Sequence, residues 1–350
     1  PCWFSSFCNC GRAKMRHSGR MPTRTAALLL AAALCAGAGC GETSGPSGAA
    51  ALPRTTRPAP PDLPAVEVRP FDLEDPDVVV IVTGGTQGML EVCDCPGIRL
   101  TGGQASRSGL AASYRAAFEH VLLIDIGDAF HVDPDAVANE YVLRGFERMG
   151  YDAVVLADHE LALAADDLKR RLPDGLTYVG TNLLAPAGLP VVREVRWEWG
   201  DVKLALVSDL RAEALRFLPP DRREAATLAP PEEVSRRIDA LKQDGYVVLL
   251  AVHGGFGDAE QAARDTRADV VLRGHVGVGR PEPRRVAGKW IVQSGGSQTA
   301  GVLALDMADG RIVAADWGLE VLDDHWSLDS RLLELFEAYL RELSERRAPV

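Results

Sequence analysis

An α/β fold is predicted by three observations. Short apolar runs rich in β-branched residues, such as 78–82 and 247–252, alternate with helical stretches through most of residues 76–350. Glycine, aspartate and histidine punctuate the ends of those runs, at Gly85, Asp128, Asp158-His159, His253 and His275. Open α/β sheets carry their ligands at the carboxyl ends of strands, so this punctuation also marks a candidate site. The chain has 350 residues, 47% hydrophobic and 25% charged, enough to bury a core of this kind.

The elements follow in order. Residues 78–82 (VVVIV) read as a buried strand, followed by glycine-rich sequence through Gly103. Residues 105–119 read as a helix and 121–125 as a second buried strand, ending at Gly127-Asp128. A helix over 135–149, a strand over 153–156, a helix over 161–171 and a short strand over 178–180 come next. The alternation across 191–199 predicts one strand, paired with 202–208 across Gly200-Asp201. Then come a helix over 231–243, a buried strand over 247–252, a helix over 259–264 and a strand over 270–272. Residues 286–292 read as a hairpin turning at Gly288, and 302–307 with 312–317 as another around Ala308-Asp309-Gly310. An amphipathic helix over 332–346 follows. No internal repeat is visible.

Charge and composition exclude several classes. The formal net charge is −11, although the first 39 residues hold five basic residues and no acidic one. Such an acidic excess argues against a nucleic-acid partner held through phosphate neutralisation. Collagen-like, coiled-coil and disulfide-rich classes do not fit the composition. No apolar run is long enough for a lasting bilayer span.

Residues 1–39 read as a doubtful start followed by a signal peptide. The sequence opens on Pro1, and Met15 or Met21 is a better start. Arg16, Arg20 and Arg24 form a basic n-region, 26–36 an apolar h-region, and small residues follow. Gly37-Ala38-Gly39-Cys40 resembles a bacterial lipobox, with Gly37 where leucine is usual, so Cys40 is the expected lipid attachment. An ordinary signal-peptidase cut nearby is the alternative. Residues 40–75 read as an extended tether, with seven prolines between positions 41 and 70. The chain is thus expected to be exported and anchored to a bacterial membrane, facing the periplasm.

Of seven cysteines, Cys93 and Cys95 alone follow Cys40. Two cysteines one residue apart close almost no loop and make a poor structural staple. Metal ligands, a redox pair, or two inert small residues remain open for them.

Asp128, Asp158, His253 and His275 offer oxygen and nitrogen donors from four strand ends. Such a set suits Zn, Mn or Fe and lacks the spacing of a structural zinc finger. His159 sits beside a ligand, where it could protonate a leaving group.

The order of motifs resembles the calcineurin-like metallophosphoesterases, in particular the catalytic domain of 5′-nucleotidases. Residues 83–88 (TGGTQG) stand where that family has Asp-x-His, and Gly102-Gly103-Gln104-Ala105 matches its helix start. Ile126-Gly127-Asp128, Ala157-Asp158-His159-Glu160, His253-Gly254-Gly255 and Gly274-His275-Val276-Gly277 match the later motifs. The resemblance implies a four-layer sandwich, two mixed β-sheets flanked by helices. It also implies a small phosphorylated substrate and one or two divalent ions per chain. It places Asp128, Asp158, His253 and His275 on one ion, with aspartate in place of the family's asparagine at 158, and His159 as general acid. For the other ion, Gly85, Gln87 and Gly277 replace three of four ligands, and Ala162 replaces a usual partner of the general acid. The chain also resembles an exported bacterial subgroup with Cys-x-Cys in this loop, and the Cys93 and Cys95 thiolates would supply the missing donors.

Phosphate ester hydrolysis is therefore the leading expectation. A non-catalytic metal- or ligand-binding lipoprotein on a degenerate fold and a Cys-x-Cys redox protein stand as alternatives. No second, nucleoside-binding domain is expected. His131 and Asp133 follow Asp128 closely and are further candidates; Arg273 and Arg280 flank the fifth motif and could meet a phosphate. His120, His325, Trp197, Trp199, Trp290 and Trp317 are expected to pack, and Arg107 has no clear catalytic role.

Overall fold

The computed structural model describes residues 61–93, 101–133, 136–184, 188–230, 232–275, 282–293 and 295–347. All lie in one compact unit, Ala51–Val350. The signal peptide, Cys40, Cys95, Val276, Gly277 and Arg280 fall outside the described residues.

The chain runs β1 (Val78–Thr83), a ribbon of β2 (Val92–Cys93) and β3 (Thr101–Gly102), α1 (Gln104–Ala117), β4 (Val121–Asp125) and α2 (Ala138–Met149). It continues through β5 (Ala153–Val155), α3 (Asp158–Leu161), α4 (Ala165–Arg171), β6 (Tyr178–Val179) and β7 (Val191–Val192). Next come β8 (Val195–Trp199), β9 (Val202–Leu210), a 3-10 turn (Ala214–Phe217), α5 (Pro220–Ala225) and α6 (Glu232–Gln243). After them stand β10 (Val247–His253), α7 (Phe256–Asp265), β11 (Val270–Gly274), β12 (Arg284–Val286) and β13 (Lys289–Val292). β14 (Thr299–Ala308), β15 (Arg311–Val321) and α8 (Ser330–Arg347) follow.

Two mixed sheets result. One has the order β15-β14-β1-β4-β5-β6-β7 and the other β12-β13-β11-β10-β9-β8. β1, β4, β5, β6 and β7 run parallel, with β14 antiparallel to β1. In the second sheet β9, β10, β11 and β13 run parallel.

The period of two explains why the strand runs are apolar throughout. Val78, Val80 and Val82 face a core shared with Leu204, Leu206, Val247, Leu249 and Leu272 of the second sheet. Val79 and Ile81 face the helices instead, among Leu110, Tyr114, Leu143, Phe146 and Leu335. On the second sheet Val248, Leu250 and Val252 meet Val234, Ile238 and Ala259 of α6 and α7. Helix, sheet, sheet and helix therefore stack in four layers, the arrangement expected from the resemblance. Each fully buried valine or leucine here contributes about 1.5–3 kcal/mol.

Several elements differ from the sequence reading. The single strand expected over 191–199 is two strands in different sheets. β7 pairs parallel with β6, while β8 pairs antiparallel with β9, and Arg193 and Glu194 carry the chain between them. The helix expected over 161–171 is α3 plus α4. Ala164 is extended (ψ 148°) between them, which lets both Leu161 and Leu163 reach the core. Residues 61–75, expected as the end of a tether, run along the domain. Val66, Val68, Phe71 and Leu73 pack against the core between the first sheet and its helices, and Phe71 meets Tyr114 and Phe118. Trp317 is buried, Trp197, Trp199 and Trp290 pack on the inter-sheet core, and His120 stacks on Trp199.

Candidate metal centre

The two sheets present the carboxyl ends of β4, β5, β10 and β11 at one shared edge. Asp128 follows β4, Asp158 follows β5, His253 ends β10 and His275 follows β11. One ligand atom from each lies within 4.8 Å of the others. His253 Nε2 is 2.8 Å from Asp158 Oδ1 and 3.3 Å from Asp128 Oδ1. His275 Nδ1 is 3.5 Å from Asp128 Oδ2 and from Asp158 Oδ1, and 3.2 Å from His253 Nε2. Asp128, Asp158 and His253 are buried and His275 is part-exposed.

Local backbone makes this convergence possible. Asp128 (φ 58°) and His275 (φ 56°) both take the left-handed conformation, uncommon outside glycine and concentrated at functional sites. The ring of His253 lies between two glycines. A Cβ on Gly127 would stand 2.9 Å, and one on Gly274 2.7 Å, from His253 Nδ1. That nitrogen donates to the Ile126 carbonyl at 3.3 Å, which leaves Nε2 for the cluster.

Electrostatics match a cation site. Burial disfavours the His253 cation, but Asp128 and Asp158 outweigh it and push its pKa up to about 10. Contacts with Asp128 and Asp158 push His275 up to about 9 against burial and the charge of His253. Burial opposes ionisation of Asp128, yet the two histidines hold its carboxyl well below the usual range. Asp128 Oδ1 is buried and accepts no hydrogen bond. Two carboxylates and two imidazoles around such an orphaned oxygen fit a divalent transition metal.

His159, one residue beyond Asp158, is part-buried. Its Nδ1 donates to the Phe130 carbonyl at 2.7 Å, because a carbonyl can only accept. Nε2 is therefore the atom free to carry an exchangeable proton. Glu160 joins the loops beneath: Phe130 N donates to Oε1 and Ala157 N to Oε2, each at 2.9 Å. Burial, and then the charge of Asp128, raise Glu160 to about 7.

The loop of residues 83–88 lies against Asp128 through its backbone. Gly85 N, Gln87 N and Gly88 N donate to the carbonyls of Gly127, Asp128 and Ala129, each at 2.8 Å. Gln87 is exposed and left-handed, and Thr86 is buried on Arg107 Nη1 at 3.0 Å. Arg107 also donates to Tyr151, whose hydroxyl bonds Thr83, which in turn donates to Asp125 at 2.8 Å. Burial raises Asp125 to about 6 despite that bond and the Arg107 charge. Nothing in the sequence around Arg107 signals this network behind the loop.

The remaining candidates are spread more widely. β2 pairs Cys93 with Thr101, on the segment that follows this loop. His131 N donates to Asn139 Oδ1, Asp133 is exposed, and neither joins the four-residue group. Arg273 Nη1 donates to Gln293 at 2.7 Å. His325 Nε2 donates to the Glu67 carbonyl, a packing contact. The sequence reading missed Arg216 and Phe217. No sequence signal marked them, since Phe217 lies beyond the end of β9 and outside every element expected from the sequence.

The fold and the cluster together define a class: the chain has the calcineurin-like phosphoesterase fold. Its structural neighbours are 5′-nucleotidases and calcineurin-like phosphoesterases. Sulfate thiohydrolase SoxB from Thermus thermophilus superposes with TM-score 0.69 at 16% identity, covering 80% of this chain and 62% of that one. A 5′-nucleotidase precursor, also from Thermus thermophilus, gives 0.66 at 18% identity, over 77% of this chain and 59% of that one. The calcineurin-like phosphoesterase YfkN from Bacillus subtilis gives 0.62 at 17% identity, over 77% of this chain and 98% of that one. In sequence, a snake venom 5′-nucleotidase from Gloydius brevicauda is 24% identical over 203 residues, 52% of this chain. The chain spans a third (33%) of that relative's length. No family model matches the chain. Among the described residues no helix is long and apolar enough to cross a membrane.

Proposed function

We propose that this chain is a metal-dependent phosphoric ester hydrolase that acts on a small phosphorylated substrate outside the cytoplasm. The observation that carries this reading is the group Asp128, Asp158, His253 and His275 at the shared sheet edge of a phosphoesterase fold. These four would hold a divalent ion, Zn, Mn or Fe. Such an ion supplies Lewis acidity to the phosphoryl oxygens and to the attacking water. His159 would deliver the proton on Nε2 to the leaving oxygen, its ring fixed by the Phe130 carbonyl. Glu160 is a positioning residue, since it ties the Asp128 loop to the Asp158 loop. Cys93 and Cys95 would complete a second ion position beside residues 83–88.

Metal content and turnover of the purified full chain test this. At least one transition metal per chain and hydrolysis of a phosphate monoester are expected. Asp128→Ala combined with His253→Ala should lose both. A double variant with full metal stoichiometry overturns the ligand assignment. Metal-loaded wild type with no turnover on any phosphate ester overturns the hydrolase reading. It leaves a metal-binding protein, the reading that Gly85 and Gln87 favour.

Export and a lipid on Cys40 belong to the same proposal, supported by the basic and apolar segments before Cys40. Mass spectrometry of the membrane fraction should find an acylated Cys40. A soluble chain without an acyl group rejects the anchor.

A further inference from the structure

β9 ends at Leu210, in register with His253. The chain then passes along the metal centre through residues 211–218. Its root is fixed: Arg211 N donates to the His253 carbonyl at 3.1 Å, and Asn182 bonds both the N–H and the carbonyl of Leu210. Ala214, Leu215 and Leu218 are buried in the core between the first sheet and its helices. Between these anchors Phe217 is 66% exposed, more than any other large apolar side chain described. A phenyl ring left in water forfeits burial energy, and here a rigid turn holds it there. Its position is specific. The ring lies 6.5 Å from that of His275, centroid to centroid, and 20° from parallel. The Arg216 guanidinium sits 4.5 Å from the Phe217 centroid, so the ring carries a cation beside it.

We propose that Phe217 and Arg216 form a platform for the leaving group of the substrate, a phosphate ester that carries a flat aromatic ring. The inference rests on the hydrolase reading and names the substrate class of that same site. With the phosphoryl group at the cluster, the rest of the ester extends past His275, where Phe217 offers an apolar surface suited to stacking. Arg216 adds positive charge next to a dianionic ester. An ester of glycerol has no ring to place there. The aromatic ring could be bonded directly to the ester oxygen or stand a ribose away, and two substrates separate these cases.

The test compares phenyl phosphate, adenosine 5′-monophosphate and glycerol 2-phosphate on the full chain, with metal content measured on every variant. In Phe217→Ala the ratio of kcat/KM for an aromatic ester to that for glycerol 2-phosphate should fall about tenfold, through KM. Phe217→Tyr should restore it. A fall for phenyl phosphate alone places the ring on the ester oxygen; a fall for the nucleotide alone places it beyond the sugar. Either result supports the platform. Turnover that persists with both ratios unchanged overturns it, as does an equal loss on all three esters, which would make Phe217 a support for His275. Metal-loaded wild type that hydrolyses none of the three overturns the platform, and the hydrolase reading falls with it only if every other phosphate ester also fails.

Discussion

Two loops stand side by side at the carboxyl ends of β1 and β4, and they hold very different things. The loop after β4 carries Asp128, left-handed and buried, with one carboxylate oxygen that accepts no hydrogen bond. The loop after β1 presents the backbone of Gly85, an exposed Gln87 and a Thr86 turned inward onto Arg107. Backbone bonds from 85, 87 and 88 to 127, 128 and 129 hold the two loops together nonetheless. The two loops thus hold each other in place through their backbones while their side chains differ. Strand pairing and the loop-to-loop bonds fix the positions, and the side chains decide whether a cation binds there.

The largest expected effect comes from the cysteines that follow the altered loop. If Cys93 and Cys95 supply the donors missing at 85 and 87, changing both to serine should lower metal content from two per chain toward one. Loss of an ion that steadies the reacting oxygens removes several kcal/mol of transition-state stabilisation, about a thousandfold in turnover. Unchanged metal content together with a reversible two-electron change, followed by alkylation, would turn the comparison into one between a metal loop and a redox loop. Wild type with one metal and full activity would show that the altered loop needs no ion.

On the intact side, His159→Gln should lower kcat roughly a hundredfold or more while metal content holds, since a general acid contributes about 10²–10⁴. An ester with a leaving group that needs no proton should lose far less. Equal losses on good and poor leaving groups would reject His159 as the acid.

The smallest effect concerns stability. Arg107 is 1% exposed and bridges Thr86 to Tyr151 and, through Thr83, to Asp125. Arg107→Met should cost about 1–3 kcal/mol of unfolding free energy, because the buried hydroxyls of Thr86 and Tyr151 lose their donor. Metal content should not change. A large loss of metal instead would mean that the altered loop takes part in binding.

The sequence made much of this legible for one physical reason. Strands buried on both faces must be apolar at every position, so VVVIV and VVLLAV announce themselves. The polar residues that interrupt such runs have few other places to go than the sheet edge. The same logic failed at 191–199, read as one strand although strict alternation covers only Val195–Trp199 and the pairs Val191-Val192 and Arg193-Glu194 break it where the chain changes sheet. Periodicity reports which face a residue takes and is silent about which sheet owns it. It failed again at 161–171, where residues 162–164 give no helix-breaking glycine or proline, and tertiary burial of Leu161 and Leu163 ends α3. Phe217 lay outside any periodic element, and only its neighbours in space single it out.

The place of β1 has a consequence in time. It lies inside its sheet between β4 and β14, and Val78 stands opposite Leu305. As the chain is made, β1 can find β4 early, but its other edge stays open until residues 299–308 arrive. Such long-range pairing folds slowly. Until then VVVIVT presents an uncharged, β-branched edge of the kind that recruits other strands. A nascent chain that stops short of Thr299 therefore carries this aggregation-prone segment with one edge open, and β14 acts as the strand that conceals it.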